Sequence, residues 1–116
     1  MMREVIKSKI HRLTVTRTDL NYKDSITIDE ELMEKSDIME GDKISVININ
    51  NDNRFEAIVI KGIRKTGIIG INGDLVNYAK RDDILVILSY CYIPEEKIEN
   101  HKTKIVFVNI HNMAID

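Results

Sequence analysis

The sequence predicts a mainly β fold, a small barrel or sandwich of short strands with two short helices. Three observations support this prediction. Short runs rich in β-branched and apolar residues recur along the chain, and clusters of turn-forming residues separate them. Only two stretches show the spacing of apolar residues that is typical of a helix. The chain has 116 residues, 43% of them hydrophobic and 31% charged, which suits a single soluble domain covering residues 1–116.

Seven strands are expected, with ends placed to within about three residues. They cover residues 3–16, 25–28, 43–50, 54–62, 67–71, 83–92 and 104–110. Alternation along the first strand puts every second side chain on the same face. One face then carries Lys9, His11, Leu13 and Val15, and the other carries Ser8, Ile10 and Arg12.

Two short helices are expected to cover the barrel. The first begins at a stretch that resembles a capping box, from Thr27 to Glu30, and ends near Ser36. The second covers residues 74–79 and has Leu75 on its apolar face. The Asn- and Asp-rich residues 50–53 predict a hairpin turn, and Pro94 ends the strand that precedes a charged turn or helical stub.

Composition excludes several classes of function. Seventeen Lys and Arg against nineteen Asp and Glu give a net charge of −2, and no basic run suggests nucleic-acid binding. No apolar run approaches the roughly 20 residues of a membrane span, and no signal peptide is recognisable, so we expect a cytoplasmic protein. The single Cys91 and three scattered histidines match no metal-ligand spacing, so no metal is expected.

Ser25 follows directly on a turn-rich stretch, residues 19–24. Ordinary turn chemistry accounts for most of this stretch. A serine Oγ beside a strained turn can also attack the carbonyl carbon of the preceding residue, here Asp24, and convert the amide to an ester. Elimination and hydrolysis of that ester would leave a pyruvoyl group at position 25.

Several motifs in combination resemble the small pyruvoyl-dependent aspartate 1-decarboxylases. They are Lys9-Ile10-His11-Arg12, Asp19-Leu20-Asn21-Tyr22, Ser25-Ile26-Thr27-Ile28-Asp29, Asn51 to Phe55, and Ile71-Asn72-Gly73. The resemblance implies a double-psi β-barrel assembled as a homotetramer, with active sites between subunits. It also implies production of β-alanine from L-aspartate for pantothenate and coenzyme A.

The resemblance implies a role for each matching residue. Ser25 would become the pyruvoyl cofactor after cleavage between Asp24 and Ser25. Lys9 and His11 would complete the catalytic set, with His11 orienting the site. Arg54 would grip a carboxylate of the small acidic amino-acid substrate with two hydrogen bonds, while Lys9 supplies a second positive charge. The substrate-binding segment would be Asn72, Gly73, Asp74 and Leu75.

The proposed reaction explains why such a cofactor is needed. Loss of CO2 from an amino acid leaves a carbanion at Cα, and a ketone conjugated to an amide can accept its electrons by forming an imine with the substrate amine. Pyridoxal phosphate could do the same, but the sequence has no recognisable lysine and phosphate-site arrangement. The glycines between Gly67 and Gly73 lack the Lys-Ser or Lys-Thr of a P-loop and predict tight turns.

Departures from the family pattern support a second hypothesis. Asp24 stands where the family has Gly, and Ala57 and Ile58 stand where it has Thr and Tyr. Each missing hydroxyl would cost about a hundredfold or more in rate. The alternative is an unprocessed, weak or inactive paralogue acting as a binding or assembly module. Arg54 would then be an exposed hairpin residue and Asn72-Gly73 an ordinary turn. The family Tyr at position 58 would return a proton to Cα. Four other tyrosine hydroxyls could replace it, those of Tyr22, Tyr78, Tyr90 and Tyr92.

Overall fold

The structure, a computed structural model, describes residues 1–115 and confirms a mainly β fold. In chain order its strands are β1 (Met2–Thr14), β2 (Arg17–Asp19), β3 (Ser25–Asp29), β4 (Lys43–Asn48), β5 (Arg54–Gly62), β6 (Ile69–Asn72), β7 (Ile84–Pro94), β8 (Lys104–Val108) and β9 (Ala114–Ile115). One α-helix, α1 (Glu30–Ser36), and two 3-10 helices, Gly73–Asn77 and Glu95–Asn100, complete the secondary structure of this part of the chain. The short strands β2 and β9 were not predicted.

The strands form a barrel that is closed by the chain segment containing β1 and β2. Their order is β2-β6-β3-β5-β4-β7-β1-β8-β9. β1 and β2 are separated by only two residues, and each pairs with a different end of the run from β6 to β7. The backbone N–H of Thr16, between them, also donates to the carbonyl oxygen of Ile69 on β6 at 2.9 Å. Closure in this way removes most of the unpaired strand edge.

Strand alternation separates a core face from an outer face. On β5, Ala57 and Val59 point into the core, whereas Arg54, Glu56 and Ile58 are exposed. The fully buried core side chains come from six of the nine strands, β1 and β3 to β7, and are mostly β-branched, as expected for a small barrel. They include Ile10, Leu13, Ile26, Ile28, Val46, Val59, Ile69, Ile71, Leu85 and Ile87.

The face prediction for the first strand is wrong beyond His11. Lys9 and His11 do share the outer face, but Leu13 and Val15 are fully buried with Ile10. The register against β7 shifts between Ile10 and Leu13, and Arg12 has a φ of 66°. This β-bulge inserts a residue and so reverses the alternation that a regular strand would keep.

The start of the first helix also differs from the prediction. Thr27 lies within β3, and the N-cap is Asp29, whose side chain accepts from the backbone N–H of Glu31. The second predicted helix exists as the 3-10 helix Gly73–Asn77, and the charged stub after Pro94 is also a 3-10 helix. The hairpin turn at residues 50–53 is confirmed between β4 and β5. Within residues 1–115, no helix is long and apolar enough to span a membrane.

Candidate functional site

Ser25 is the first residue of β3 and is fully buried. Its hydroxyl donates to the carbonyl oxygen of Lys23 at 2.8 Å. The same Oγ accepts a hydrogen bond of 3.0 Å from the side-chain amide of Asn72, which lies directly opposite on the antiparallel strand β6. The Ser25 hydroxyl is therefore held in one orientation, beside the peptide bond that joins it to Asp24.

The residue before this bond is held against the start of the 3-10 helix. Asp24 Oδ1 accepts from the backbone N–H of Asp74 at 2.8 Å. Gly73 has a φ of +67°, and a Cβ there would lie only 2.8 Å from the backbone N of Asp24. A side chain at position 73 would therefore displace the Asp24-Ser25 segment. Asp24 does not itself have a positive φ, so its side chain strains no backbone angle.

A further residue, Thr27, belongs to the same group of contacts. Asn72 Nδ2 donates to Thr27 Oγ1 at 3.0 Å as well as to Ser25 Oγ. Thr27 was not predicted as a site residue, because its hydroxyl was interpreted as part of the capping box from Thr27 to Glu30. The available signal was strand alternation, which places Ser25 and Thr27 on the same side of β3.

Ala57 and Ile58, the two positions on β5 that depart from the family pattern, lie near this group in the strand register. Val59 pairs with Ile26 in a parallel register, so Ile58 precedes that pair on β5 just as Ser25 precedes it on β3. Ile58 is on the outer face with 40% of its surface exposed, whereas Ala57 is buried in the core at 5%. Neither side chain carries a hydroxyl, so β5 supplies no proton donor from these positions.

The predicted cationic residues lie elsewhere on the outer face. Lys9 pairs with Leu88 on β7 and with Ile105 on β8. Arg54 is three strands from Lys9 in the sheet, about 14 Å at the usual strand spacing. Arg54 borders a cavity of about 240 Å³ on the outer face, whose lining also includes Ser45, Ile47, Leu88 and Tyr90.

One chain thus brings together only part of the predicted site. Asp24, Ser25, Asn72, Gly73 and Asp74 form a contiguous group. Leu75 follows them but is packed in the apolar core. Within residues 1–115, no hydrogen bond or ion pair joins this group to the other predicted site residues, which are Lys9, His11 and Arg54.

His11 is half-buried beside Phe107, with ring centroids 5.7 Å apart and an interplanar angle of 71°. Its Nδ1 atom is buried and has no hydrogen-bond partner among the described residues. Burial, with the nearby charges of Lys9 and Arg12, lowers the pKa of His11 below its ordinary value of 6.5. The neutral imidazole therefore predominates at pH 7.

Residues that could hold a metal are not grouped in this part of the protein. No cluster of three or more His, Cys, Asp or Glu side chains in residues 1–115 is arranged to bind a metal ion. Cys91, on β7, is a half-buried free thiol.

Comparison with known proteins identifies close relatives over the whole described chain. The family described as "Aspartate decarboxylase" matches residues 1–115. A protein named aspartate 1-decarboxylase from Caldicellulosiruptor saccharolyticus is 50% identical over 115 residues, covering 99% of this chain and 90% of the relative. Its namesake from Flavobacterium psychrophilum is 50% identical, covering 94% of each chain. Another from Thermoanaerobacter pseudethanolicus is 44% identical, covering 100% of this chain and 99% of the relative.

Solved structures confirm the expected double-psi β-barrel. The rationally designed protein mkDPBB_sym_86 is similar with a TM-score of 0.52 and 12% identity, covering 68% of this chain and 92% of that protein. The computationally designed msDPBB_sym2 is similar with a TM-score of 0.50 and 20% identity, covering 75% and 99%. These likenesses concern the fold alone.

Proposed function

The chain belongs to the aspartate decarboxylase family, and on this basis we propose that it converts L-aspartate to β-alanine and CO2 by means of a pyruvoyl group made from Ser25. The observation that carries this proposal is the environment of Ser25. Its buried hydroxyl donates a hydrogen bond to the carbonyl oxygen of Lys23 and accepts one from the Asn72 amide. This hydroxyl also adjoins the peptide bond to be cleaved. The β-alanine would supply pantothenate synthesis in the cytoplasm.

The cofactor would form by rearrangement of the chain itself. Ser25 Oγ bonds to the carbonyl carbon of Asp24 while the C–N bond breaks, which gives an ester and a free amine on residue 25. Loss of the Cα proton of residue 25 expels the main-chain carboxylate of Asp24 and leaves a dehydroalanine at position 25. Hydrolysis of its imine tautomer then takes up one water and releases ammonia. The overall change is one water consumed and one ammonia released, with no oxidant or reductant.

The residues around position 25 suit such a group. Asn72 Nδ2 is within 3.0 Å of the Ser25 oxygen and could donate to a carbonyl oxygen held in the same place. The group would supply an electron sink for the electrons released by decarboxylation. Gly73 adjoins the cleaved bond, and Asp74 contributes the backbone N–H that binds Asp24.

The cationic side chains of the outer face would bind the two substrate carboxylates. Arg54 is exposed at the edge of its cavity and can form a bidentate pair, while Lys9 acts as a point charge. Neutral His11 would orient the substrate through a ring nitrogen. Asn72, Gly73 and Asp74 would form the segment along which the substrate lies, and Leu75, the next predicted residue, would anchor this segment in the apolar core.

We further propose that the protein is a homotetramer whose sites are completed between subunits. Two features support this assembly. Lys9 and Arg54 are too far from each other in one chain to grip one small substrate. They also lie among exposed apolar side chains of a kind that marks protein interfaces. This outer strip comprises Ile58, Tyr90, Ile105 and Phe107.

Intact mass and a denaturing gel test the cleavage. We expect two fragments, residues 1–24 and 25–116, together holding one water more and one ammonia less than the intact chain, with a carbonyl-blocked N-terminus on the larger. Ser25→Ala should abolish both the fragments and the release of β-alanine from aspartate. Ser36→Ala, which removes another buried hydroxyl that donates to a carbonyl oxygen of α1, should retain both. A wild-type chain that stays intact and inactive after prolonged incubation would refute the proposal.

The alternative, an unprocessed module that binds or assembles with other proteins, is favoured by one observation. Ala57 and Ile58, the residues of β5 that precede the pair formed by Val59 and Ile26, have no hydroxyl. The paired change Ala57→Thr and Ile58→Tyr tests this interpretation. We expect it to raise the rates of cleavage and turnover, and no increase in either would show that these two positions do not limit the chemistry.

A further inference from the structure

We propose that Thr27 is a positioning residue for pyruvoyl formation, because its hydroxyl holds the Asn72 amide in the orientation that places an N–H on Ser25 Oγ. This inference rests on the proposed function in that it concerns the step that cleaves the chain. Among the described residues the Thr27 hydroxyl bonds to the Asn72 side chain and not to Ser25, so its effect on Ser25 would pass through Asn72.

The hydrogen bonds around Ser25 determine which end of the Asn72 amide must face it. The Ser25 hydroxyl donates its only hydrogen to the carbonyl oxygen of Lys23, so it can only accept from Asn72. The amide must therefore present its nitrogen rather than its oxygen. Asn72 Nδ2 has two hydrogens, and the second goes to Thr27 Oγ1 at the same distance of 3.0 Å.

The position of Thr27 is set by two glycines on the neighbouring strands. Gly70 pairs with Thr27 across β3 and β6, and a Cβ on Gly70 would lie 3.3 Å from Thr27 Cβ and 3.5 Å from its Oγ1. On the other side, a Cβ on Gly62 would lie 3.0 Å from Thr27 Cγ2. Because neither glycine has a side chain, Thr27 fits between the strands with its hydroxyl directed toward Asn72.

Loss of the Thr27 hydroxyl would leave the Asn72 amide with one side-chain partner instead of two. The amide could then rotate away from Ser25, and its N–H would spend less time on the Oγ that must attack Asp24. Thr27→Val keeps the shape and the strand preference of the side chain but removes the hydroxyl. Thr27→Ser keeps the hydroxyl and removes only the methyl group.

Nuclear magnetic resonance of the Asn72 side-chain amide tests the contact without relying on cleavage. In a Ser25→Ala chain, which cannot be cleaved, Thr27→Val should shift the Asn72 NH2 signals and speed their exchange with solvent, whereas Thr27→Ser should not. The control is Thr16→Val, which removes a hydroxyl bonded to the backbone of Ile69 on β6. Unchanged Asn72 signals in the Thr27→Val chain would overturn the inference.

The rate of cleavage tests the consequence in the Ser25 chain. We expect Thr27→Val to slow the appearance of the two fragments about tenfold, which corresponds to one hydrogen bond, with Thr27→Ser and Thr16→Val close to wild type. Cleavage of Thr27→Val at the wild-type rate would refute the positioning role. A wild-type chain that never cleaves would instead refute the proposed function. The Asn72 amide signals would still show whether Thr27 bonds to Asn72.

Discussion

Side chains around Ser25 are held by hydrogen bonds to groups that are distant in sequence. Asn72 reaches Ser25 and Thr27 across 47 and 45 positions, and Asp24 reaches Asp74 across 50. Each of these hydrogen bonds has a defined donor and acceptor, so each restricts the rotation of the side chains that it joins. Asp24 is an example, because its carboxylate binds the start of the 3-10 helix where a glycine would leave that N–H free.

His11 gives a prediction at the same scale. Its pKa is lowered by burial first and by the charges of Lys9 and Arg12 second. A titration followed by NMR should therefore give a midpoint below 6.5. Lys9→Met should raise the midpoint only part of the way back, because burial remains. A midpoint at or above 6.5 in the wild-type chain would contradict this account.

The lowered pKa also has a consequence for stability. Below pH 6.5 the unfolded chain takes up a proton on His11 more readily than the folded chain does. The contribution of His11 to the free energy of unfolding is therefore lost as the pH falls from 6.5 through the lower folded-state pKa. His11→Gln should lose less stability across that acidic window, as measured by urea denaturation at several pH values.

At the scale of secondary-structure elements, Asp29 at the junction of β3 and α1 shows how one side chain can join several segments. Asp29 is buried, and its two carboxylate oxygens accept from the backbone N–H groups of Glu31, Lys65 and Gly67 at 2.8–3.0 Å. It therefore caps the helix and also holds the loop between β5 and β6. A carboxylate suits this position because it has only acceptors to offer.

Asp29→Asn should lower the free energy of unfolding by about 2 kcal/mol, because the new NH2 group would face one of these backbone donors. Urea denaturation measures the change. Asp37→Asn is the matched control at the other end of the same helix. Asp37 is exposed and has a φ of 56°, which asparagine tolerates, so this variant should change stability by less than about 0.5 kcal/mol. Equal decreases in the free energy of unfolding of the two variants would show that the buried carboxylate of Asp29 contributes no more to stability than the exposed one of Asp37.

Across the whole molecule, the outer face of the barrel combines exposed apolar side chains with the predicted substrate-binding cations. Phe107 is 53% exposed and contacts His11, and Ile105 beside it is 50% exposed. Such side chains would be covered if four chains assemble with this face between them.

Light scattering should therefore give the mass of four chains for the wild-type protein. Phe107→Glu would place a charge in the proposed interface, so we expect a smaller species and a fall in β-alanine production. Ile63→Glu is the control, because Ile63 is 75% exposed but lies in the loop after β5, away from the outer strip. A wild-type chain that is monomeric would contradict the assembly.

The pattern of residues was sufficient for the elements that depend on local chemistry. All seven predicted strands exist, as do the hairpin turn and the two short helical segments, because alternation and turn residues act over a few positions. The bulge in β1 escaped prediction because it depends on pairing with β7. The strands β2 and β9 were missed because each is only two or three residues long and is defined by its partner.

For the candidate site, the sequence by itself determined which residues are present and, through family resemblance, which chemistry they suit. Only the tertiary structure decided that Ser25, Thr27 and Asn72 meet, because that contact depends on the pairing of β3 with β6. It also decided that Lys9 and Arg54 stand on the same face but three strands apart. The physical reason is that side-chain direction follows from local alternation, whereas the distance between two strands depends on how the whole sheet is ordered.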